Sequence, residues 1–255
     1  MQIIERDFLE GIKNDEFKIY IQPKFDAITQ NIVGAEALIR RIRNNEVIMP
    51  QFFIPKYEQL GIITKLDMFV FESICKKLKD WKDKNYNLVP ISINESAKDI
   101  FRKKHIDELK KMTDKYKVNP NLIELELTET AVLEDIDSAK EAERRVHSLG
   151  FIVSMDDFGV GYSSFSMLRK INIDVLKIDK SFSDEVLNDK RGKIILESII
   201  QMSKRLEIKT VAEGIETKEQ VEYLREIGCD IIQGYYFEKP LPIEEFEEKY
   251  MRKNS

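Results

Sequence analysis

From residue 88 onward the chain alternates six short apolar runs with amphipathic segments. The runs are LVPISIN (88–94), LIELELTE (122–129), FIVSMDD (151–157), DVLKID (174–179), IKTVAEG (208–214) and CDIIQG (229–234). Between them lie IDELKKMTDKY, SAKEAERRVHSL, GKIILESIIQMSKRL and TKEQVEYLREI, each with apolar residues at i, i+3/i+4 spacing. Strand followed by helix, repeated, builds a parallel sheet, because two parallel neighbours need a long crossover between them. This many units in 255 residues favours closure into a barrel, an architecture that takes about 250 residues as one domain.

The first third of the chain modifies that plan. Ile4, Phe8 and Ile12 predict a leading helix within residues 1–16, ahead of a single barrel domain over 17–255. FKIYIQP and NIVGAEALIR read as two strands joined by a hairpin connection, DAITQN. Leu66, Phe69, Val70, Ile74, Leu78 and Trp81 predict a helix over 64–83, with Thr64 as its N-cap, and LPIEEFEEKYM a last helix with a solvated Glu-Glu-Phe-Glu-Glu face. The expected fold is α/β: a modified TIM-like (β/α)8 barrel with one early strand antiparallel to the rest.

Composition narrows the function. Apolar residues make up 42% and charged residues 34%, which suits a folded domain with a solvated surface. With 41 basic and 46 acidic residues the net charge is −5, which argues against a protein that coats duplex nucleic acid but permits a small anionic ligand in one cleft. No apolar run approaches the roughly 18 residues of a membrane span, and the start, MQIIERDFLEGIKNDEF, lacks the apolar stretch of a signal peptide. Cys75 and Cys229 make neither a disulfide framework nor a CxxC zinc site, and are expected as buried small hydrophobes. The expected compartment is the cytoplasm.

The strand runs end in chemically coherent groups. Glu36 lies in GAEAL, Asn94 ends ISIN, and Glu126 and Glu129 lie in ELELTE. Asp156 and Asp157 end FIVSMDD, Lys177 and Asp179 lie in DVLKID, Glu213 and Glu216 in VAEGIE, and Gln233 in CDIIQG. In a parallel barrel all these ends open on one face, where active sites of this architecture sit. A single carboxylate at a strand end is ordinarily a helix cap or a loop solvator, and DFGVGYSS by itself is a turn with glycines that only weakly resemble a phosphate cradle. Five or more carboxylates in one mouth are another matter, because they repel unless compensated. An all-oxygen set selects a hard divalent cation such as Mg²⁺ or Mn²⁺, and adjacent aspartates can share two ions about 3.5–4 Å apart. Ca²⁺, larger and less exacting in geometry, is expected to occupy the same sites and inhibit. His105 and His147 have no partner at metal-ligand spacing and are expected at the surface or in favourable helix-dipole contacts.

The motifs together resemble the EAL-domain cyclic di-GMP phosphodiesterases. The likeness rests on IQP before Glu36-Ala37-Leu38, then ISIN, ELELTET, MDDFGVGYSS, LKIDKSF, VAEGIET, GCDIIQGYYF and KPLP, in that family's order over roughly residues 17–248. The resemblance implies hydrolysis of one phosphodiester bond of cyclic di-GMP to linear 5′-pGpG. It implies a first metal on Glu36, Asn94, Glu126 and Asp156, and a second on the bridging Asp156 with Asp157 and, directly or through water, Glu213. It further implies that Lys177 contacts the attacking water, that Gln233 helps fix that water and the phosphate, and that Gln22 and Arg40 hold the ligand's backbone and guanine ends. Glu129 is implied as an anchor of the loop after Asp157, Glu216 as a similar supporting group, and a homodimer as the assembly.

Four departures stand out: Arg41 replaces an aromatic residue, a His-Pro pair is missing from RIRNNEVIMP, Glu95 replaces Leu, and Val160 replaces Thr. The first two bear on ligand affinity and Val160 on the rate or its regulation. The alternative is a catalytically weak or inactive module that binds cyclic di-GMP or another protein. A metal-dependent barrel acting on another phosphodiester rests on fold alone.

Overall fold

The structure is a computed structural model that describes residues 2–159, 165–180 and 189–252. Eight strands close the barrel: β1 (Phe17–Asp26), β2 (Ile32–Arg43), β4 (Ile91–Asn94), β5 (Ile123–Thr128), β6 (Ile152–Phe158), β7 (Val175–Ile178), β8 (Lys209–Ala212) and β9 (Ile231–Ile232). Each pair from β2–β4 round to β8–β9 is parallel. β1 closes the ring by pairing antiparallel with both β2 and β9, so it is the expected reversed strand. Two short strands, β3 (Glu46–Ile48) and β10 (Leu241–Pro242), add antiparallel to β2 and β1.

Strand alternation divides the core in two. Ile91 and Ile93, Ile123 and Leu125, Val153 and Met155, and Leu176 and Ile178 are buried; they share one parity of their strands and form the apolar layer under the helices. The other parity carries Ser92, Glu124, Glu126, Ser154, Asp156 and Lys177. Barrels of this type usually fill the lumen with branched apolar side chains; this one fills much of it with polar groups.

Several local expectations change. The long helix runs Ile63–Asp83 and Thr64 does not cap it; its hydroxyl donates to Asp99, and the cap residue Ile62 offers no side-chain bond. The strand in LVPISIN begins only at Ile91, because Pro90 has no N–H to give the ladder, although its carbonyl accepts from Ala35 N at 3.0 Å. The last helix is a short Ile243–Phe246 followed by a π turn over Glu247–Met251. Its acidic face is not wholly solvated, since Glu247 is buried and pairs with Lys77 at 2.8 Å and Lys84 at 2.7 Å.

One histidine expectation is corrected, that for His105, while His147 lies in the last turn of the helix Ile136–Ser148 as expected. His105 is 4% exposed and bonds Glu95 at 2.8 Å, giving that buried glutamate a partner. His147 links Glu143 at 2.6 Å to Asp174 at 2.8 Å. The cysteines are buried as expected, and burial pushes their thiols up to about 12 for Cys75 and about 11 for Cys229. Arg41 turns away from Glu36: it bonds Asp7 at 2.6 Å and Glu16 at 2.8 Å, and lies 5.2 Å from the Phe17 ring centroid. It fastens the N-terminal helix, Gln2–Lys13, to β2. No described helix is long and apolar enough to cross a membrane.

Candidate active site

The mouth is assembled by register. Gln22 on β1 stands opposite Glu36 on β2, and Asn94 at the end of β4 stands beside Glu126 on β5. Gln233, just after β9, completes the seam: its Nε2 donates to Glu36 Oε2 at 2.6 Å and to Gln22 Oε1 at 3.1 Å. Asn94 Nδ2 donates to the other Glu36 oxygen at 3.2 Å. Glu36 is thereby held by neighbours on both sides.

Lys177 forms the centre. It is 1% exposed, and its ammonium lies 2.8 Å from Glu126, 2.9 Å from Glu213, 3.1 Å from Asp156 and 3.8 Å from Glu36. These groups come from elements that are not all neighbours of β7, so they can meet only across the lumen. A buried cation is costly unless paired, and here four carboxylates outweigh burial and raise its pKa well above the ordinary range. The carboxylates respond unequally. Burial pushes Glu36 and Asp156 up, and Glu213 up to about 8, against the pull of Lys177. Burial also opposes ionisation of Glu126, yet Lys177 and Lys24 together pull it down to about 2. Glu126 is the firmly ionised member because it alone contacts both lysines.

The β6 strand ends in an irregularity. Its register with β7 shifts between Met155 and Phe158, and Asp157 takes a left-handed φ of 58°. Such a bulge re-aims side chains at the end of a strand: Asp156 faces Lys177, while Asp157 is exposed at the rim and donates its N–H to Asp156 Oδ1 at 2.9 Å. Glu216 is also at the rim, paired with Lys180. Glu129 is buried at the start of the helix Glu129–Glu134. The loop it was expected to anchor, and Val160 with it, lies mostly outside the described residues. Arg40 stands apart from the Lys177 cluster, with its guanidinium 5.8 Å from the Tyr20 ring centroid.

Two cavities meet at Glu36 and Leu38. One, about 260 Å³, is lined by Gln22, Glu213, Gln233 and Tyr235; the other, about 350 Å³, by Pro50, Ile54, Asp67, Asn94 and Ser96. A groove of about 700 Å³ between β1 and the helix Ile63–Asp83 holds none of the strand-end groups, so size does not mark the site here.

The residues fit a hard cation in kind. All candidate donors are oxygens, and Gln233 Oε1 is buried without a hydrogen-bond partner among the described residues. As they stand, no three Asp, Glu, His or Cys side chains among the described residues are arranged to close on an ion. The Lys177 ammonium already occupies the point where their charges converge.

Sequence reasoning missed Lys24, Glu124, Asp67 and Tyr235. Glu124 stood inside the quoted ELELTET run, two residues before Glu126 and on the same strand face, which was the available signal. Lys24 offered none, because after a proline it read as the end of a strand.

Comparison with known proteins identifies the family. The EAL domain family pattern matches residues 5–240. The chain is 37% identical over 240 residues to the signaling protein YkoW of Bacillus subtilis, covering 94% of this chain and 30% of that protein. It is 32% identical over 246 residues to the cyclic di-GMP phosphodiesterase NbdA of Pseudomonas aeruginosa, covering 96% of this chain and 31% of that protein. It therefore spans about a third of the length of these relatives. The structure titled PaMucR phosphodiesterase, c-di-GMP complex, superposes with a TM-score of 0.89 at 29% identity, covering 96% of this chain and all of the other. The family pattern and the barrel superposition both extend over nearly the whole length, and the chain belongs to the EAL-domain family.

Proposed function

We propose that this domain hydrolyses one phosphodiester bond of cyclic di-GMP to linear 5′-pGpG, using two divalent cations, Mg²⁺ or Mn²⁺. The observation that carries the reading is the set of four carboxylates drawn from separate strand ends onto one buried ammonium. The named activity of NbdA and the ligand in the MucR structure support the choice of substrate. Two cavities meeting at Glu36 suit a ligand with two equivalent halves.

Glu36, Asn94, Glu126, Asp156, Asp157 and Glu213 would hold the cations. When bound, these supply an acidified water and neutralise charge that grows on the phosphate. Lys177 contributes a fixed positive charge for the anionic diester and orients the attacking water. Gln233 has a buried carbonyl oxygen that can accept a hydrogen bond from that water, while its Nε2 keeps Glu36 and Gln22 in place. Tyr235, 54% exposed at the cavity edge, offers a ring face to a base, and Gln22 and Arg40 would hold the rest of the ligand. A homodimer belongs to the same reading, supported by the exposed Ile194 and Ile195 on the helix Lys190–Arg205.

The test is turnover of cyclic di-GMP by metal-stripped protein resupplied with Mg²⁺ or Mn²⁺, with products resolved by chromatography. Linear dinucleotide is the expected product. Tight binding without product would favour a receptor, a reading disfavoured by the complete donor set, and neither binding nor product would overturn the substrate assignment.

A further inference from the structure

Lys24 is a fully charged group in the lumen that the proposed chemistry does not use. It is 2% exposed, on β1 opposite Gly34 of β2, and its stem passes that glycine closely: a Cβ there would lie 3.7 Å from Lys24 Cδ. Its ammonium ends 2.8 Å from Ser92 Oγ, 3.1 Å from Glu124 Oε1 and 3.4 Å from Glu126 Oε1. Lys177 approaches the other oxygen of the same carboxylate, Glu126 Oε2, at 2.8 Å. Glu124 and Gly34 both precede the mouth residues on their parallel strands, so Lys24 grips Glu126 from the layer beneath and Lys177 from the mouth.

A glutamate side chain left to itself can turn either oxygen, or both, toward a cation. With Oε1 tied to Lys24, only Oε2 faces the mouth. We propose that Lys24 is a positioning residue that presents Glu126 to a divalent cation through a single oxygen; this rests on the metal-dependent reading above. Partners of this kind behind a metal ligand typically change affinity by about 10–100-fold when removed.

Lys24→Met alone would leave Glu124 as an unpaired buried charge and Glu126 with Lys177 as its one cationic partner, and would also alter the field at the site. The informative variant is Lys24→Met/Glu124→Gln, in which one positive and one negative charge leave together. Metal-stripped wild type and double variant are titrated with Mn²⁺ by calorimetry, melted, and assayed for turnover across Mn²⁺ concentrations. The expected result is cooperative unfolding in both and a Mn²⁺ dissociation constant raised about 10–100-fold in the variant. The half-saturating Mn²⁺ concentration for turnover should rise by the same factor, with turnover recovering toward wild type at saturation. A merely structural lysine would shift the melting temperature and leave Mn²⁺ affinity alone. Wild-type Mn²⁺ affinity in the variant overturns the assignment, as does loss of cooperative unfolding, because a positioning residue is dispensable to the fold once its charge is balanced. Absence of Mn²⁺ binding in the wild type itself would instead sink the metal-dependent reading, and this inference with it.

Discussion

Glu36→Ala separates catalysis from folding. The carboxylate accepts from Gln233 at 2.6 Å and from Asn94 at 3.2 Å, and stands 3.8 Å from Lys177. Its removal deletes one proposed metal ligand and frees two other site residues to turn. Loss of one preorganised electrostatic group costs about 10²–10³ in rate, and two disoriented neighbours add to that, so we expect a loss of at least ~10³-fold, or about 4 kcal/mol of transition-state stabilisation. Stability should change far less. Two hydrogen bonds contribute about 0.5–1.5 kcal/mol each, but burial and neighbouring carboxylates already work against the Glu36 charge, and its departure relieves them. The net change should move the melting temperature by no more than about 5 °C at about 2–4 °C per kcal/mol. The assay pairs product formation under saturating Mg²⁺ with thermal melts; Glu36→Gln, which keeps one acceptor but no charge, should fall between. Retention of more than a tenth of the activity in a folded Glu36→Ala protein would refute the assigned role of the carboxylate cluster.

Three further outcomes are expected. Ca²⁺ alone should support no turnover and should compete with Mg²⁺, because it takes more oxygens at longer range than Mg²⁺ and polarises water less; full activity with Ca²⁺ would contradict the two-metal reading. For His147→Gln the sign follows from the folded pKa, which Asp174, and then Glu143, raise above the usual 6.5 in spite of burial. The bond contributes most below that unfolded value and fades as pH rises through the folded one. Chemical denaturation should therefore show a loss of about 1 kcal/mol at pH 5.5 that shrinks by pH 8.5, the modest figure reflecting solvent screening; a pH-independent loss would indicate packing alone. Gly234→Ala would place a methyl 2.1 Å from Ile215 O, a backbone atom that cannot step aside. A destabilisation of about 3 kcal/mol and impaired turnover should follow, and a melting temperature equal to wild type would show that this close approach is not maintained.

The sequence alone determined the order of the main strands and helices, because the period of apolar residues is a local property of the chain. It also determined which polar groups close each strand, and with them the family. Even the reversed strand was legible, since a hairpin between FKIYIQP and NIVGAEALIR leaves β1 no other direction. Only the tertiary structure decided what those groups do to one another. Alternation along a strand separates two faces but does not say which is the lumen, so the inward turn of Lys24 was invisible until β1 met β2 with Lys24 opposite Gly34. The same holds for Lys177: its place in an apolar run marked it as unusual, but carboxylates from β2, β5, β6 and the end of β8 became its partners only on closure. Thr64, His105 and Glu247 follow the same logic, for each looked like a cap or a surface group and found a partner distant in sequence, or in His105 a residue ten positions away. Local spacing encodes the elements, whereas the pairing of buried charges is settled by which strands the barrel brings face to face across its lumen.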